Sequence, residues 1–458
     1  MRWMRCFLLV VVVAVVSCSR EDAPEVPFSG LEPFEGVWSG DLEVMGQTLP
    51  LVLRVDADAT EPVTLDSPSQ NAFSIPAESA QGADGVLSAS WPSLRARYSG
   101  TLSEDGAAIE GKFRQNGLNM TLNLVKLDAA EAPLPGRVGR PQEPDAPLPY
   151  ASTDVLIGGD PQLAGTLTMP EGEGPFPGVV LITGSGPQNR NEELLGHRPF
   201  LVLSDRLTRA GIAVLRYDER GVGESEGEYP EADLHDFADD AARAMAFLRE
   251  QGEVSRVGFV GHSEGGMVAA LVAQQADDQE PDFIVALAAP FLPFDEIVEG
   301  QVRDALTLGG APEDVVVSSV AMQRSLLDAA MTGDHPEEAC TAIDQASSML
   351  PQDVQMRAQA LCAPAFFSTL RLSPEEIYSG VGMPFLALFG SLDSQVPAES
   401  NAAAARGLLG EGALVEIVDG ANHLFQTAET GAVAEYSGIE ETMREDVMAR
   451  IAEFVNGQ

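Results

Sequence analysis

A serine set between glycines is the first feature of this chain able to do chemistry. Gly261-His-Ser-Glu-Gly265 holds Ser263 between an apolar run, Arg256 to Val260, and a small-residue stretch, Met267 to Ala273. The pattern predicts a strand, a sharp turn and a helix. Glycines stand where side chains would collide, and the turn lifts the serine hydroxyl above the sheet. A serine attacks a carbonyl only when a base takes its proton, and that base is usually a histidine oriented by a carboxylate. Five histidines are available. His262 adjoins the serine, and the turn aims its side chain elsewhere. His235 lies on an amphipathic helix, His335 follows Asp334 in a helical stretch, and His197 comes too early in the chain. His423 remains, in Asp419-Gly-Ala-Asn-His-Leu-Phe425, a loop where an exposed, mobile base is expected. Between the two, Asp393 falls in the loop after the apolar strand 383–389. Its other reading is a turn aspartate capping the next helix. The chemistry implied is acyl transfer with Ser263 as nucleophile, His423 as base and Asp393 as the orienting acid.

The oxyanion of such a reaction needs two N–H donors. One is expected from the backbone of Glu264, at the start of the helix after the serine. By position, the other is expected from Ser185 in the loop Gly184-Ser-Gly-Pro-Gln-Asn-Arg190. That loop has neither G-K-[ST] nor G-x-G-x-x-G, so a phosphate cradle is a poor reading. Asp218, Arg220 and Gly221 read as residues that knit a loop, and a side-chain role for Glu264 is the minor reading.

The elements that must hold these residues alternate from Tyr150 onward. Strands are expected at 163–169, 177–183, 212–217, 256–260, 283–288, 383–389 and 413–418, and helices at 197–210, 233–250, 399–409 and 439–455. Asp233 is placed to cap its helix. This grammar predicts an α/β domain over 150–458 with a mostly parallel sheet. Residues 291–378 break it with helices that read as an inserted cap. Before it, 128–149 is a Pro-rich linker. Residues 34–127 show short alternating strands with Gly and Asp turns, a small antiparallel sandwich or barrel read as an accessory domain rather than a ligand-binding module.

Arg2 and Arg5, followed by the apolar run Phe7 to Val16, predict a signal peptide over 1–17. Val15-Val-Ser-Cys18 resembles a lipobox. It implies an exported chain, lipid-anchored at Cys18 in a bacterial envelope, with 18–33 as a tether. Ser19 is compatible with the outer membrane. Cys340 and Cys362 remain, either paired or as two buried thiols. Seventy acidic against 27 basic residues, a formal charge of -43, exclude nucleic acid as a partner by repulsion.

Taken together, Gly184 to Glu192, Gly196-His-Arg-Pro-Phe200, Arg216-Tyr-Asp-Glu-Arg-Gly-Val-Gly-Glu-Ser225, Gly261 to Gly266 and Asn422-His-Leu-Phe-Gln426 resemble a bacterial group of α/β-hydrolase serine esterases. The group is related to the dienelactone-hydrolase and serine-aminopeptidase-like branches, is often exported and often carries an N-terminal β domain. The order Ser, Asp, His is that fold's order. The resemblance implies hydrolysis of a small acyl ester by Ser263, Asp393 and His423, with no metal or organic cofactor. A peptidase or acyltransferase would use the same three residues. A non-catalytic binding lipoprotein is the alternative of another class.

Overall fold

The computed structural model describes residues 28–127, apart from 45–46, 58, 60–61, 68–71, 95 and 116–117, and residues 140–458, apart from 275–279, 351–353 and 356–357. The expected leader, Cys18, most of the tether and residues 128–139 of the linker lie outside the described residues. Two compact units divide the chain at Gly139 and Arg140.

Period-two patterning shapes the first unit. Its strands are β1 (Gly36–Val44), β2 (Gln47–Val55), β3 (Val63–Ser67), β4 (Ala72–Pro76), β5 (Ser79–Ala83), β6 (Val86–Trp91), β7 (Ala96–Leu102), β8 (Ala108–Gln115), β9 (Leu118–Thr121) and β10 (Leu124–Leu127). Along β7, Ala96, Tyr98 and Gly100 are buried while Arg97, Ser99 and Thr101 are exposed. The order is β4-β3-β2-β1-β10-β8-β7-β6-β5, with β9 beside β8. Every pairing is antiparallel. The expected sandwich or barrel is one open sheet, a half-barrel around a single core, because short turns keep most sequence neighbours paired. Trp38 and Trp91 fill that core, their indole N–H groups donating to the carbonyls of Phe34 (2.7 Å) and Ile75 (3.1 Å).

In the second unit, β11 (Ala151–Ile157), β12 (Leu163–Met169), β13 (Phe176–Ile182), β14 (Ala213–Tyr217), β15 (Val254–His262), β16 (Ile284–Leu287), β17 (Phe385–Gly390) and β18 (Leu414–Val418) form one sheet in the order β11-β12-β14-β13-β15-β16-β17-β18. The sheet is mixed. The β11–β12 and β12–β14 pairings are antiparallel, and the others are parallel. The cause at the edge is connection length, since the short link between β11 and β12 leaves no room for the crossover that parallel strands need.

Helices cover both faces. After α1 (Pro199–Arg209), α2 (Leu234–Arg249) and α3 (Glu264–Val272) come α4 (Phe294–Leu308), α5 (Glu313–Ala330), α6 (Pro336–Ser347), α7 (Pro364–Arg371) and α8 (Pro374–Tyr378), then α9 (Ala398–Leu408) and α10 (Glu445–Asn456). Successive residues of β13 serve opposite faces. Val180 and Ile182 pack with Phe237, Met245 and Val268 of α2 and α3. Val179 and Leu181 pack with Phe200, Leu203, Ile451 and Phe454 of α1 and α10. A capping box between Asp233 and Asp236 starts α2, worth about 1 kcal/mol.

Two boundaries differ from expectation. The final helix begins at Glu445 rather than Ile439, because Gln142 Oε1 accepts the N–H groups of Thr442 (2.5 Å) and Met443 (3.1 Å) and holds that approach out of helix. The end of the Pro-rich stretch is likewise built into this unit, with Arg140 donating to the carbonyls of Ser437 and Ile439.

Between β16 and β17, α4 to α8 carry a core of their own, including Leu326, Leu327, Ile343, Phe367 and Leu370. Met331, at the C-terminal end of α5, is half exposed. Proline within the first residues of α6, α7 and α8 sets these starts. Cys340 and Cys362 are joined in a disulfide across 22 residues of this segment. A loop of that size implies about 3 kcal/mol of stabilisation. Unreduced protein is therefore expected to resist alkylation at both residues, and a Cys340→Ala, Cys362→Ala double variant to be cleaved faster within 291–378 in limited proteolysis. Rapid alkylation of both thiols without reductant would contradict this.

Candidate active site

Ser263 sits between β15 and α3 with φ 52° and ψ -118°, a conformation costly for a non-glycine residue, by about 1–3 kcal/mol. Backbone contacts enforce it. A Cβ at Gly261 would lie 2.2 Å from the Gly265 carbonyl oxygen, and one at Gly265 would lie 2.2 Å from that of Ile182. The Ser263 N–H donates to the Leu287 carbonyl at 2.8 Å, pinning the turn to the neighbouring strand.

The acid and base arrive on the loops after β17 and β18. Asp393 is fixed by its own turn, where Oδ1 accepts the N–H groups of Gln395 (2.7 Å) and Val396 (2.9 Å). Its Oδ2 is left for His423 Nδ1, at 2.7 Å. The turn-aspartate reading and the orienting-acid reading thus describe the two oxygens of one side chain. Buried Asn422 shapes the histidine loop, its Oδ1 accepting from Leu424 N and Gln426 N, both at 3.0 Å. With Nδ1 donating to the carboxylate, His423 presents Nε2 as a proton acceptor. The histidine is buried rather than exposed, because its loop folds back onto the serine turn. Its ring centroid lies 4.8 Å from that of His262, whose Nε2 meets the His423 carbonyl at 3.0 Å. The structure therefore brings Asp393 and His423 together and seats them beside the Ser263 turn. No hydrogen bond joins Ser263 directly to His423 among the described residues.

On the other side of the turn, carboxylates build the loop after β13. Asp218 Oδ1 accepts from Arg190 N at 2.7 Å, and its Oδ2 accepts from Arg190 Nη2 at 2.6 Å. Glu219 accepts from Thr183 Oγ1 (2.7 Å) and Gln188 N (2.8 Å). Burial, joined by the nearby charges of Glu264 and Glu192, drives the Glu219 pKa well up against those hydrogen bonds. Arg220 pairs with Asp236 (2.8 Å) and Asp240 (2.7 Å) of α2, a knitting role.

The Glu264 N–H belongs to the first turn of α3, where helical donors lack partners within the helix and the helix dipole favours negative charge. Ser185 is exposed at the loop surface, and its hydroxyl hydrogen-bonds to the Glu264 carboxyl. Glu192 was missed in the sequence. It is buried, and its Oε1 binds both His262 Nδ1 (2.8 Å) and Gly184 N (2.9 Å). The only signal was its place at the end of the Gly184 to Glu192 motif.

Fold and site together define an α/β hydrolase. The chain belongs to the family described as serine aminopeptidase, S33, whose model matches residues 199–428. It is similar to esterase EstD of Thermotoga maritima, 28% identical over 286 residues, 62% of this chain and 62% of that protein. The match thus spans less than two thirds of that relative. Among solved structures it is similar to the Pyrococcus furiosus esterase Pf2001, at 17% identity and a TM-score of 0.44, covering 70% of this chain and 97% of that one. Est1E of Butyrivibrio proteoclasticus with ferulic acid bound is also similar, at 17% identity and a TM-score of 0.40, covering 66% and 98%.

Burial lifts the Glu264 carboxyl to about 7, with the Ser185 hydrogen bond opposing. A folded pKa above the unfolded one means the native state binds the extra proton. The stabilising contribution is complete below about pH 4.5 and is lost as pH rises through about 7. Glu264→Gln keeps the backbone donor and cannot ionise. It is expected to gain stability over the parent as pH rises through this window, on the order of 3 kcal/mol once pH has passed the folded pKa. Thermal unfolding of both across that range checks this; a constant difference would contradict it.

Proposed function

We propose that the chain is a serine carboxylic-ester hydrolase. The observation that carries this reading is the 2.7 Å bond from buried Asp393 to His423 beside a serine held at φ 52°. His423 Nε2 takes the Ser263 proton, in a contact that tightens once substrate is bound. Oγ attacks the ester carbonyl, and the N–H groups of Glu264 and Ser185 hold the oxyanion. The intermediate collapses, the C–O bond to the alcohol breaks, and the alcohol leaves with the proton from His423. Water, deprotonated by His423, then attacks the acyl-enzyme, and the acid departs as Ser263 regains its proton. The likeness to EstD supports an ester as substrate.

In this reading α4 to α8 form a cap that limits the acyl group, and the N-terminal half-barrel is an accessory unit. The disulfide supports export to an oxidising compartment, with the chain anchored through lipid at Cys18. The family's aminopeptidase description favours an amide as the second reading.

Ser263→Ala is expected to lower p-nitrophenyl butyrate turnover by about 10⁴-fold or more with unchanged thermal unfolding. Short esters are expected to outpace longer ones and aminoacyl p-nitroanilides in the parent. Retained turnover in the variant would overturn the nucleophile assignment, and preference for the anilides would favour the peptidase.

A further inference from the structure

Behind the serine turn lies a pair of titratable groups that the ester chemistry above does not use. We infer that Glu192 and His262 form a buried carboxylate–imidazolium pair that positions the base loop and the oxyanion loop against the nucleophile turn, an inference that rests on the hydrolase reading of the site.

Partner chemistry sets the protonation. His262 Nε2 faces the His423 carbonyl at 3.0 Å. A carbonyl only accepts, so Nε2 carries a proton. Nδ1 faces Glu192 Oε1 at 2.8 Å, an oxygen that already accepts the Gly184 N–H at 2.9 Å. A neutral ring with its proton on Nε2 would turn a lone pair toward that carboxylate. Protonation of both ring nitrogens satisfies both contacts.

Three further observations agree. The other Glu192 oxygen, Oε2, is buried with no hydrogen-bond partner, a costly arrangement for a carboxylate unless a full cation lies alongside. Glu192 occupies φ 52°, so backbone strain is spent in aiming it. The loop backbone at Gly184 packs directly on the pair, where a Cβ would touch both Glu192 Oε1 and His262 Nδ1 at 3.4 Å.

The charged groups facing His262 are few. Burial alone would lower its pKa. The charge and hydrogen bond of Glu192, the His423 carbonyl and the charge of Asp393 outweigh burial and raise it. The His423 ring, 4.8 Å away, is the remaining titratable neighbour. When His423 accepts the serine proton, two adjacent cationic rings are flanked by two carboxylates, and the four groups carry no net charge.

The pair joins three segments: the loop after β13 through Gly184 N, the turn through His262, and the base loop through the His423 carbonyl. Loss of the proton must break this chain. Either neutral tautomer of His262 forfeits one of its two bonds, to Glu192 or to His423. Glu192→Gln keeps an acceptor oxygen but removes the charge that holds the proton on the ring. Glu192 and His262 are therefore positioning residues, and ester turnover should have an alkaline limb set by His262.

The test combines side-chain NMR of isotope-labelled histidine, His262 being assigned through His262→Gln, with kcat against pH for the full chain and Glu192→Gln. His262 is expected to hold both ring protons at neutral pH in the parent and one in Glu192→Gln. The variant's kcat should fall roughly tenfold to a hundredfold with KM little changed, and its alkaline limb should move to lower pH. A singly protonated His262 in the parent would overturn the inference, as would an unchanged kcat and alkaline limb in the variant. Absence of ester turnover in the parent would sink the esterase reading instead, and the parent's NMR spectrum would still decide the pair.

Discussion

Backbone meeting backbone at the Ser263 turn is the constraint from which the rest of the site follows. Gly265 lies against the Ile182 carbonyl and Gly261 against that of Gly265, at distances no side chain could share. That closeness brings the end of β15, the end of β13 and the start of α3 to one point. The serine there is strained, and the residue after it opens a helix, whose first turn is the positive end of the helix dipole. In the proposed mechanism the nucleophile and one donor for the oxyanion thus come from one local geometry.

Around that point, polar groups rather than apolar packing hold the mobile parts. The loops after β13, β14, β17 and β18 each carry a buried carboxylate or amide that accepts backbone N–H groups: Glu192, Glu219, Asp393 and Asn422 in turn. Each of these side chains replaces hydrogen bonds that a loop leaving a sheet would otherwise lack. The acidity of the chain has a local counterpart here. Glu219, Glu264 and His262 have pKa values displaced upward, and each keeps a proton longer than it would in water.

Residue type and order made the fold of the second unit and the candidate site legible. Only one histidine follows the serine in a loop after a strand, and only Asp393 stands at a strand end between them in the required position. The reading of His423 as exposed missed because burial comes from the whole loop folding onto His262, a tertiary contact with no local signature. Glu192 escaped for the same reason, since a carboxylate in a polar loop looks solvated until the partner it reaches is seen. The disulfide needed a distance that spacing does not contain. The antiparallel edge at β11 and β12 followed from a connection length that was visible, but strand pairing is set by neighbours far along the chain. In the first unit, alternation announced strands and turns, while the choice of a half-barrel depended on β1 pairing with β10.

The central claim is that Ser263 is an activated nucleophile, with His423 and Asp393 activating it. A fluorophosphonate probe followed by peptide mass mapping tests this most directly, because the probe bonds far faster to an activated serine than to an ordinary one. One adduct per chain, on the peptide containing Ser263 and greatly slowed in Asp393→Asn, is the predicted result. A folded chain left unlabelled, or an adduct mapped to another residue, would contradict it.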